Sequence, residues 1–323
     1  MKRFMKVLMI IAIVIIAVIA ILFLLLLWAS KQPAVKENYY ETVKTGGEIE
    51  AKYTALGTYE VGYYEKETDT TYKKFRVWYP AELENETKEY PLVIMVNGTG
   101  VPASKYEAIF NHLASWGFIV IGNEEENSRT GVSSSESLAF MLEQNETATS
   151  IFYGKIDTDN IGIGGHSQGG VGAINAVTNF ENGSYYKAIW TASTTSSFMT
   201  QDEGLGKEWQ YDVSKINIPY FMVAGASGLD AGTATSFEET EGQGICPLWS
   251  LTENFEKIPD TVDKVMARLK DTDHAPMLYS ADGYMTAWFM YYLQGDEYAG
   301  GAFFGDNAEI ARNEHYQDVQ KSN

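Results

Sequence analysis

A single cysteine, Cys246, stands in the 323 residues. No intramolecular disulfide can form, and no cysteine-rich metal site can be built. Histidine is almost as scarce: His112, His166, His274 and His315 are the only 4, and they show no HExxH or comparable ligand spacing. Basic residues are outnumbered, with 24 Lys+Arg against 43 Asp+Glu and a formal net charge of −19. Lys2, Arg3 and Lys6 lie in the first thirty residues, which carry no acid, so the remainder is more acidic still. Such a body repels phosphate backbones and holds no basic cluster, which excludes nucleic acid as a partner. The charge reads as a source of solubility rather than as a site for a cation. Neither a fixed-period repeat nor a low-complexity tract is present.

What is present is apolar material: 45% hydrophobic and 13% aromatic residues, enough for a sizeable core in one large domain or two small ones. Some of it belongs to an address rather than to the fold. After MKRFMK comes an unbroken apolar run from Val7 to Leu27. At ~1.5 Å per residue it reaches about 31 Å, the thickness of a bilayer's hydrocarbon core. A cleaved signal peptide has a shorter apolar region and an A-x-A-like site, for which WASKQPA is a poor match. The run is therefore expected to be an uncleaved transmembrane signal anchor, with Lys2, Arg3 and Lys6 cytoplasmic and Trp28 at the far interface. Secretion after cleavage is the alternative. The expected organisation is a cytoplasmic N-terminus (1–6), a membrane helix (7–28), a linker (29–47) and an extracellular domain (48–323). Asn85, Asn97, Asn145 and Asn182 each head a glycosylation sequon, a pattern that chance also supplies.

The body alternates two kinds of segment. GTYEVGYYEK and YKKFRVWYP have period-2 alternation around a polar turn and read as a hairpin. PLVIMV, FIVIG, NIGIGG, KAIWTAS, IPYFMVAG and KVMARLK read as strands, the apolar ones buried on both faces. KYEAIFNHLASWG, SSSESLAFMLEQNETATS, QGGVGAINAVTNF and a segment near ADGYMTAWFMYYLQG read as helices. The alternation predicts an α/β fold, a doubly wound and mostly parallel sheet with helices on both sides. Residues 195–215 and 230–259 are expected as long loops with short helices or a small lid.

The densest chemical signal is GHSQGG, where Ser167 sits between Gly165 and Gly169 behind one of these strands and ahead of a helix. A sharp strand-to-helix turn lifts a side chain into the cleft beyond the strand ends but crowds the backbone, and glycines remove the Cβ atoms that would clash. The helix N-terminus aims amide donors at the same place. Alone, this pattern also fits a serine N-cap. A phosphate loop requires a lysine after the glycines, and none is there. A nucleophilic serine needs two main-chain donors for the oxyanion. The N–H of Gln168 is one candidate, and the Thr99 N–H in the loop NGTG (97–100) after PLVIMV is the other.

The base is sought after residue 167. His274 lies in the loop DTDHAP behind KVMARLK, whereas His315 lies in a polar tail and reads as solvated. His166 neighbours Ser167 but points to the opposite side and reads as a packed residue; His112 on a helix reads as a surface residue. For the acid, Asp230 is the first carboxylate after IPYFMVAG, with Glu238, Glu239 and Glu241 as rivals further along, and Asp271 and Asp273 as residues that shape the histidine loop.

GHSQGG, PLVIMVNGTG followed by YEAIFNHLASWGFIVI, Asp230 and His274 together resemble the α/β-hydrolases. The chain is most similar to their dienelactone-hydrolase-like branch, which includes cutinase-type polyesterases, poly(ethylene terephthalate) hydrolases and chlorophyllase-like proteins. The resemblance runs from about Thr58 to Gly305. It implies a Ser167–His274–Asp230 triad, an oxyanion hole of the Thr99 and Gln168 amides, a small or polymeric ester as substrate, and neither metal nor organic cofactor. Where many relatives carry His-Gly, this chain has Asn97-Gly98, and it has no disulfide pair. Trp190, Trp249 and Tyr284 are candidates for an acyl pocket and equally for core. Two alternatives stay open: an acyltransferase or peptidase using the same triad, and a non-catalytic hydrolase-like surface module.

Overall fold

The computed structural model of the protein describes residues 15–25, 28, 31–201 and 203–322. The chain divides into two units, Met1–Ala34 and Val35–Asn323. In the first, residues 15–25 are helical, with Ile, Val, Leu and Phe side chains exposed. The expected membrane helix over 7–28 lies partly outside the described residues. Among the described residues, no helix is long and apolar enough to cross a membrane.

The second unit opens with helix α1 (Glu48–Thr54), followed by strands β1 (Val61–Glu67), β2 (Lys74–Pro80) and β3 (Tyr90–Val96). Then come α2 (Glu107–Ser115), β4 (Ile119–Asn123), α3 (Val132–Glu146), β5 (Ile156–His166), α4 (Gln168–Asn179), β6 (Tyr186–Ala192) and β7 (Tyr220–Gly225). The chain ends with α5 (Leu248–Lys257), β8 (Lys264–Leu269), α6 (Asp282–Gln294) and β9 (Tyr316–Lys321), with short helical turns between. The strands form one 9-stranded sheet in the order β1-β2-β4-β3-β5-β6-β7-β8-β9. It is parallel from β4 through β8 and antiparallel at β1–β2, β2–β4 and β8–β9.

Alternation along a buried strand sends side chains to both faces, so each face needs a helical cover. On β3, Val93 and Met95 pack with Phe110 of α2 and Trp288 and Phe289 of α6. Its intervening residues Leu92, Ile94 and Val96 pack with Leu138 of α3 and Ile174 of α4. The crossovers diverge where β3 lies between β4 and β5. That is the switch point at which an open sheet leaves a cleft beyond its carboxyl ends. The chain leaves β3 at Val96 and β5 at His166, with Val96 paired to Gly165, so residues 97–100 and Ser167 emerge side by side into that cleft.

Two local expectations differ from the structure. The polar tail after His315 is strand β9, antiparallel to β8. It reads as a tail because an edge strand tolerates polar residues, here Gln317, Asp318 and Gln320. The expected 230–259 loop holds helix α5, in keeping with the short helices expected there.

His112, expected at the surface, is fully buried. Its Nδ1 lies 3.0 Å from Asp282 Oδ2, which also accepts the Tyr39 hydroxyl at 2.7 Å. Its Nε2 faces the carbonyls of Thr54 at 3.0 Å and Ala55 at 2.9 Å. Burial alone would push the His112 pKa down. The Asp282 carboxylate and the two carbonyls more than offset it, so the value is raised. A raised folded value contributes stability that is complete below the unfolded value of ~6.5 and is lost as pH rises through the folded one. Thermal unfolding measured from about pH 6 upward is therefore expected to show a falling midpoint, part of which vanishes in His112→Gln. Parallel pH dependences in the two proteins would refute the assignment.

Candidate active site

Ser167 occupies the turn between β5 and α4 with φ 60° and ψ −123°, a left-handed conformation that non-glycine residues avoid. Packing enforces it. A Cβ on Gly165 would lie 2.2 Å from the Gly169 carbonyl oxygen, and one on Gly169 would lie 2.2 Å from the Val96 carbonyl oxygen. Both obstacles are backbone, so no side-chain movement relieves them. The turn is pinned by Ser167 N–H donating to the Ala192 carbonyl at 2.9 Å.

The structure brings His274 and Asp230 to this serine. His274 lies in the loop after β8, with Nε2 2.9 Å from Ser167 Oγ and Nδ1 2.8 Å from Asp230 Oδ1. A carboxylate accepts, so Nδ1 carries the proton and Nε2 presents its lone pair to the serine hydroxyl. Asp230, in the helical turn Gly228–Ala231 after β7, is fully buried. Its Oδ2 accepts from Ser193 Oγ at 2.6 Å and from the Gly225 N–H at 2.5 Å. Both carboxylate oxygens are thereby oriented, and the one facing the imidazole is reserved for it.

The other carboxylates do different things. Glu238, Glu239, Glu241 and Asp271 are exposed. Asp273 Oδ1 accepts the His274 N–H at 2.7 Å and the Asp230 N–H at 3.1 Å, tying the histidine loop to the acid turn. Those bonds, led by the one from His274, lower its pKa. His166 has its ring 4.7 Å from the His274 ring, and its Nε2–H donates to the His274 carbonyl at 2.8 Å. Burial, with the neighbouring His274, lowers its pKa to about 4, so it is a neutral prop under the loop.

The 97–100 loop is held from below. Asn97 is buried, its Nδ2 donating to the carbonyls of Asn123 at 2.8 Å and Glu125 at 2.9 Å while its Oδ1 accepts the Tyr106 hydroxyl at 2.8 Å. That leaves no room for a glycan on this sequon. A Cβ on Gly98 would sit 3.8 Å from Ser167 Cβ, so the loop lies against the serine. Thr99 is exposed, and its Oγ1 is 3.1 Å from Gln168 Nε2. Of the aromatic candidates for an acyl pocket, Trp190 and Tyr284 are buried core residues. Trp249 is half-buried, with Nε1 donating to Gln243 Oε1 at 3.1 Å.

Sequence reasoning missed Ser193 and the side-chain role of Gln168. Ser193 ends KAIWTAS with φ 51°, and its place directly beyond a strand's carboxyl end was the available signal. Among the described residues, no group of 3 or more His, Cys, Asp or Glu side chains is arranged to hold a metal ion.

No curated protein is significantly similar to this chain. Residues 44–199 match a protein family described as PET hydrolase-like. The match takes in Thr99, Ser167 and Gln168 and ends before Asp230 and His274. The α/β fold and its mostly parallel sheet agree with this match, and residues 44–199 are similar to the PET hydrolase-like family.

Proposed function

We propose that the protein hydrolyses carboxylic esters through Ser167, His274 and Asp230, with the main-chain N–H groups of Thr99 and Gln168 as the oxyanion hole. The observation that carries this reading is the continuous chain from Ser167 Oγ through His274, at 2.9 Å, to Asp230, at 2.8 Å. In the proposed cycle Ser167 Oγ attacks the ester carbonyl as His274 Nε2 takes its proton. The resulting imidazolium faces Asp230, and the alkoxide oxygen faces the two amides. Collapse expels the alcohol, which receives the proton from His274. Water, deprotonated by His274, then releases the acid from the acyl-serine. The cycle calls on no metal or organic cofactor. The family's description makes an aromatic polyester one substrate class to test, beside small soluble esters.

A fluorophosphonate probe is expected to label Ser167, and the described body is expected to cleave a panel of p-nitrophenyl acyl esters. Failure of both would favour a non-catalytic module. Transfer of the acyl group to an added alcohol in preference to water would make the protein an acyltransferase. We also propose that residues 7–28 anchor the protein in a membrane with the catalytic unit outside the cell. The exposed apolar side chains at 15–25 support this, and full-length protein that alkaline carbonate strips from membranes would refute it.

A further inference from the structure

Strands β7 and β8 each end in a loop that carries one residue of the proposed triad. The strands pair in parallel as far as Gly225 with Leu269. Past that pair the two chains stay zipped for a short way. The Ala226 N–H donates to the Leu269 carbonyl at 2.9 Å, and the Ser227 N–H to the Thr272 carbonyl at 3.1 Å. There the main-chain partners run out. The helical turn Gly228–Ala231, which holds Asp230, starts after Ser227, whose side chain makes no capping bond. The first N–H groups of such a turn need an acceptor from elsewhere. Asp230 is fully buried, so an unmet N–H there would be costly.

Asp273 supplies the acceptor from the other loop. Its Oδ1 takes the Asp230 N–H at 3.1 Å and, from its own loop, the His274 N–H at 2.7 Å. The Leu229 N–H adds a further bond to the same carboxylate. One oxygen thus holds the main chain of the acid and the main chain of the base. Gly228 lets the carboxylate come this close: its φ is +56°, and a Cβ there would lie 2.2 Å from Asp273 Oδ2. We infer that Asp273 is a positioning residue of the active site, fixing the two loops so that Asp230 Oδ1 and His274 Nδ1 stay at their 2.8 Å bond. For its effect on rate the inference rests on the hydrolase reading; for its effect on that bond it rests on the geometry alone.

The His274 main chain is gripped at both ends, its N–H by Asp273 and its carbonyl by His166 Nε2–H at 2.8 Å. The ring keeps only its own torsions, and the bond to Asp230 takes those. Asp273 bonds to main-chain N–H groups rather than to the imidazole, so it acts through where the two loops stand. A displacement of about 1 Å in a reacting pair can cost roughly 10²-fold in rate. His166 and the pairing at Ala226 and Ser227 still hold when Asp273 is gone. The loss therefore stays short of that from changing the acid itself.

Two substitutions at one position test this in the full-length protein, with active sites counted by fluorophosphonate titration. Asp273→Ala removes the acceptor, whereas Asp273→Asn keeps an oxygen where Oδ1 stands and gives up the charge. Asp273→Ala is expected to lower kcat on a p-nitrophenyl ester about 10–100-fold with KM within about twofold. Asp273→Asn is expected to recover most of that loss. Gly228→Ala, which pushes the carboxylate away instead of removing it, is expected to act like Asp273→Ala and serves if that variant does not fold. The proton between His274 Nδ1 and Asp230 supplies a second readout, a far-downfield proton resonance assigned by its loss in Asp230→Asn. It is expected to persist in Asp273→Asn and to shift or vanish in Asp273→Ala. Parental kcat in Asp273→Ala, an unmoved resonance in it, or an asparagine variant as slow as the alanine one each overturns the assignment. The hydrolase reading fails separately, through turnover that persists in Ser167→Ala or a parent that cleaves no ester, and the resonance still reports on Asp273 in either case.

Discussion

Ser167→Ala is expected to unfold at the wild-type temperature and to cleave a p-nitrophenyl acyl ester about 10⁴–10⁶ times more slowly than the parent. The substitution deletes one oxygen. The main-chain bonds of the turn, Ser167 N–H to Ala192 and Gly170 N–H to Ser167, do not involve that oxygen. Alanine meets the same left-handed φ of 60° that serine already tolerates, and the backbone obstacles around Gly165 and Gly169 leave the turn no alternative path. His274 loses a partner for Nε2, but its side chain is 16% exposed, so water can replace the hydroxyl. Nothing therefore drives unfolding, while the oxygen proposed to carry the acyl group is gone. Residual rate above that of water alone would come from the oxyanion donors and from substrate binding. Turnover and thermal unfolding on the same preparation decide the matter. Near-wild-type turnover removes Ser167 as nucleophile, whereas inactivity accompanied by a lowered midpoint assigns the loss to the fold.

Much of this arrangement is legible in the chain itself, and the illegible part has a physical reason. The strands that position the site, β3 and β5, are buried on both faces, so they stand out as apolar runs such as PLVIMV. Ser167 is legible because the close approach of Gly165 and Gly169 to other backbone demands glycine, and a demand of that kind is written at fixed spacing. Asp230 is different. Any of several carboxylates after β7 satisfies chain order, and only the folded geometry, with Asp230 Oδ1 2.8 Å from His274 Nδ1, separates it from exposed Glu238, Glu239 and Glu241. His112 misleads for the same reason: its partner Asp282 lies on a distant helix, and a lone polar residue on α2 looks like a surface one. Ser193, which steadies Asp230, and the side chain of Gln168, which ties Thr99, act entirely through tertiary contacts. Local periodicity carries no trace of such contacts.

Asp230→Asn is expected to cost about 10⁴ in turnover while leaving the backbone in place, and the direction follows from which groups donate to the carboxylate. Ser193 Oγ–H and the Gly225 N–H both donate to Oδ2. An asparagine at 230 must turn its carbonyl oxygen toward these two donors, which leaves its NH2 facing His274 Nδ1. The bond at Nδ1 then runs backwards, with Nδ1 accepting instead of donating. The imidazole proton moves to Nε2, and Nε2–H points at Ser167 Oγ, where a lone pair is needed to take a proton. The imidazolium formed in the transition state also loses its counter-charge. Losing charge-assisted bonds in a fully buried site is expected to lower stability by roughly 1–3 kcal/mol, so the unfolding midpoint should drop without abolishing the folded state. Glu239→Gln is the matched control: Glu239 is exposed, and its carboxylate accepts from Thr235 in its own loop. If Asp230→Asn lost less than tenfold in kcat, or if Glu239→Gln lost as much, the acid would have to be sought among the other carboxylates. If both variants behave as expected, the defect in Asp230→Asn lies in the group that faces His274 Nδ1, through the tautomer it imposes and the counter-charge it removes.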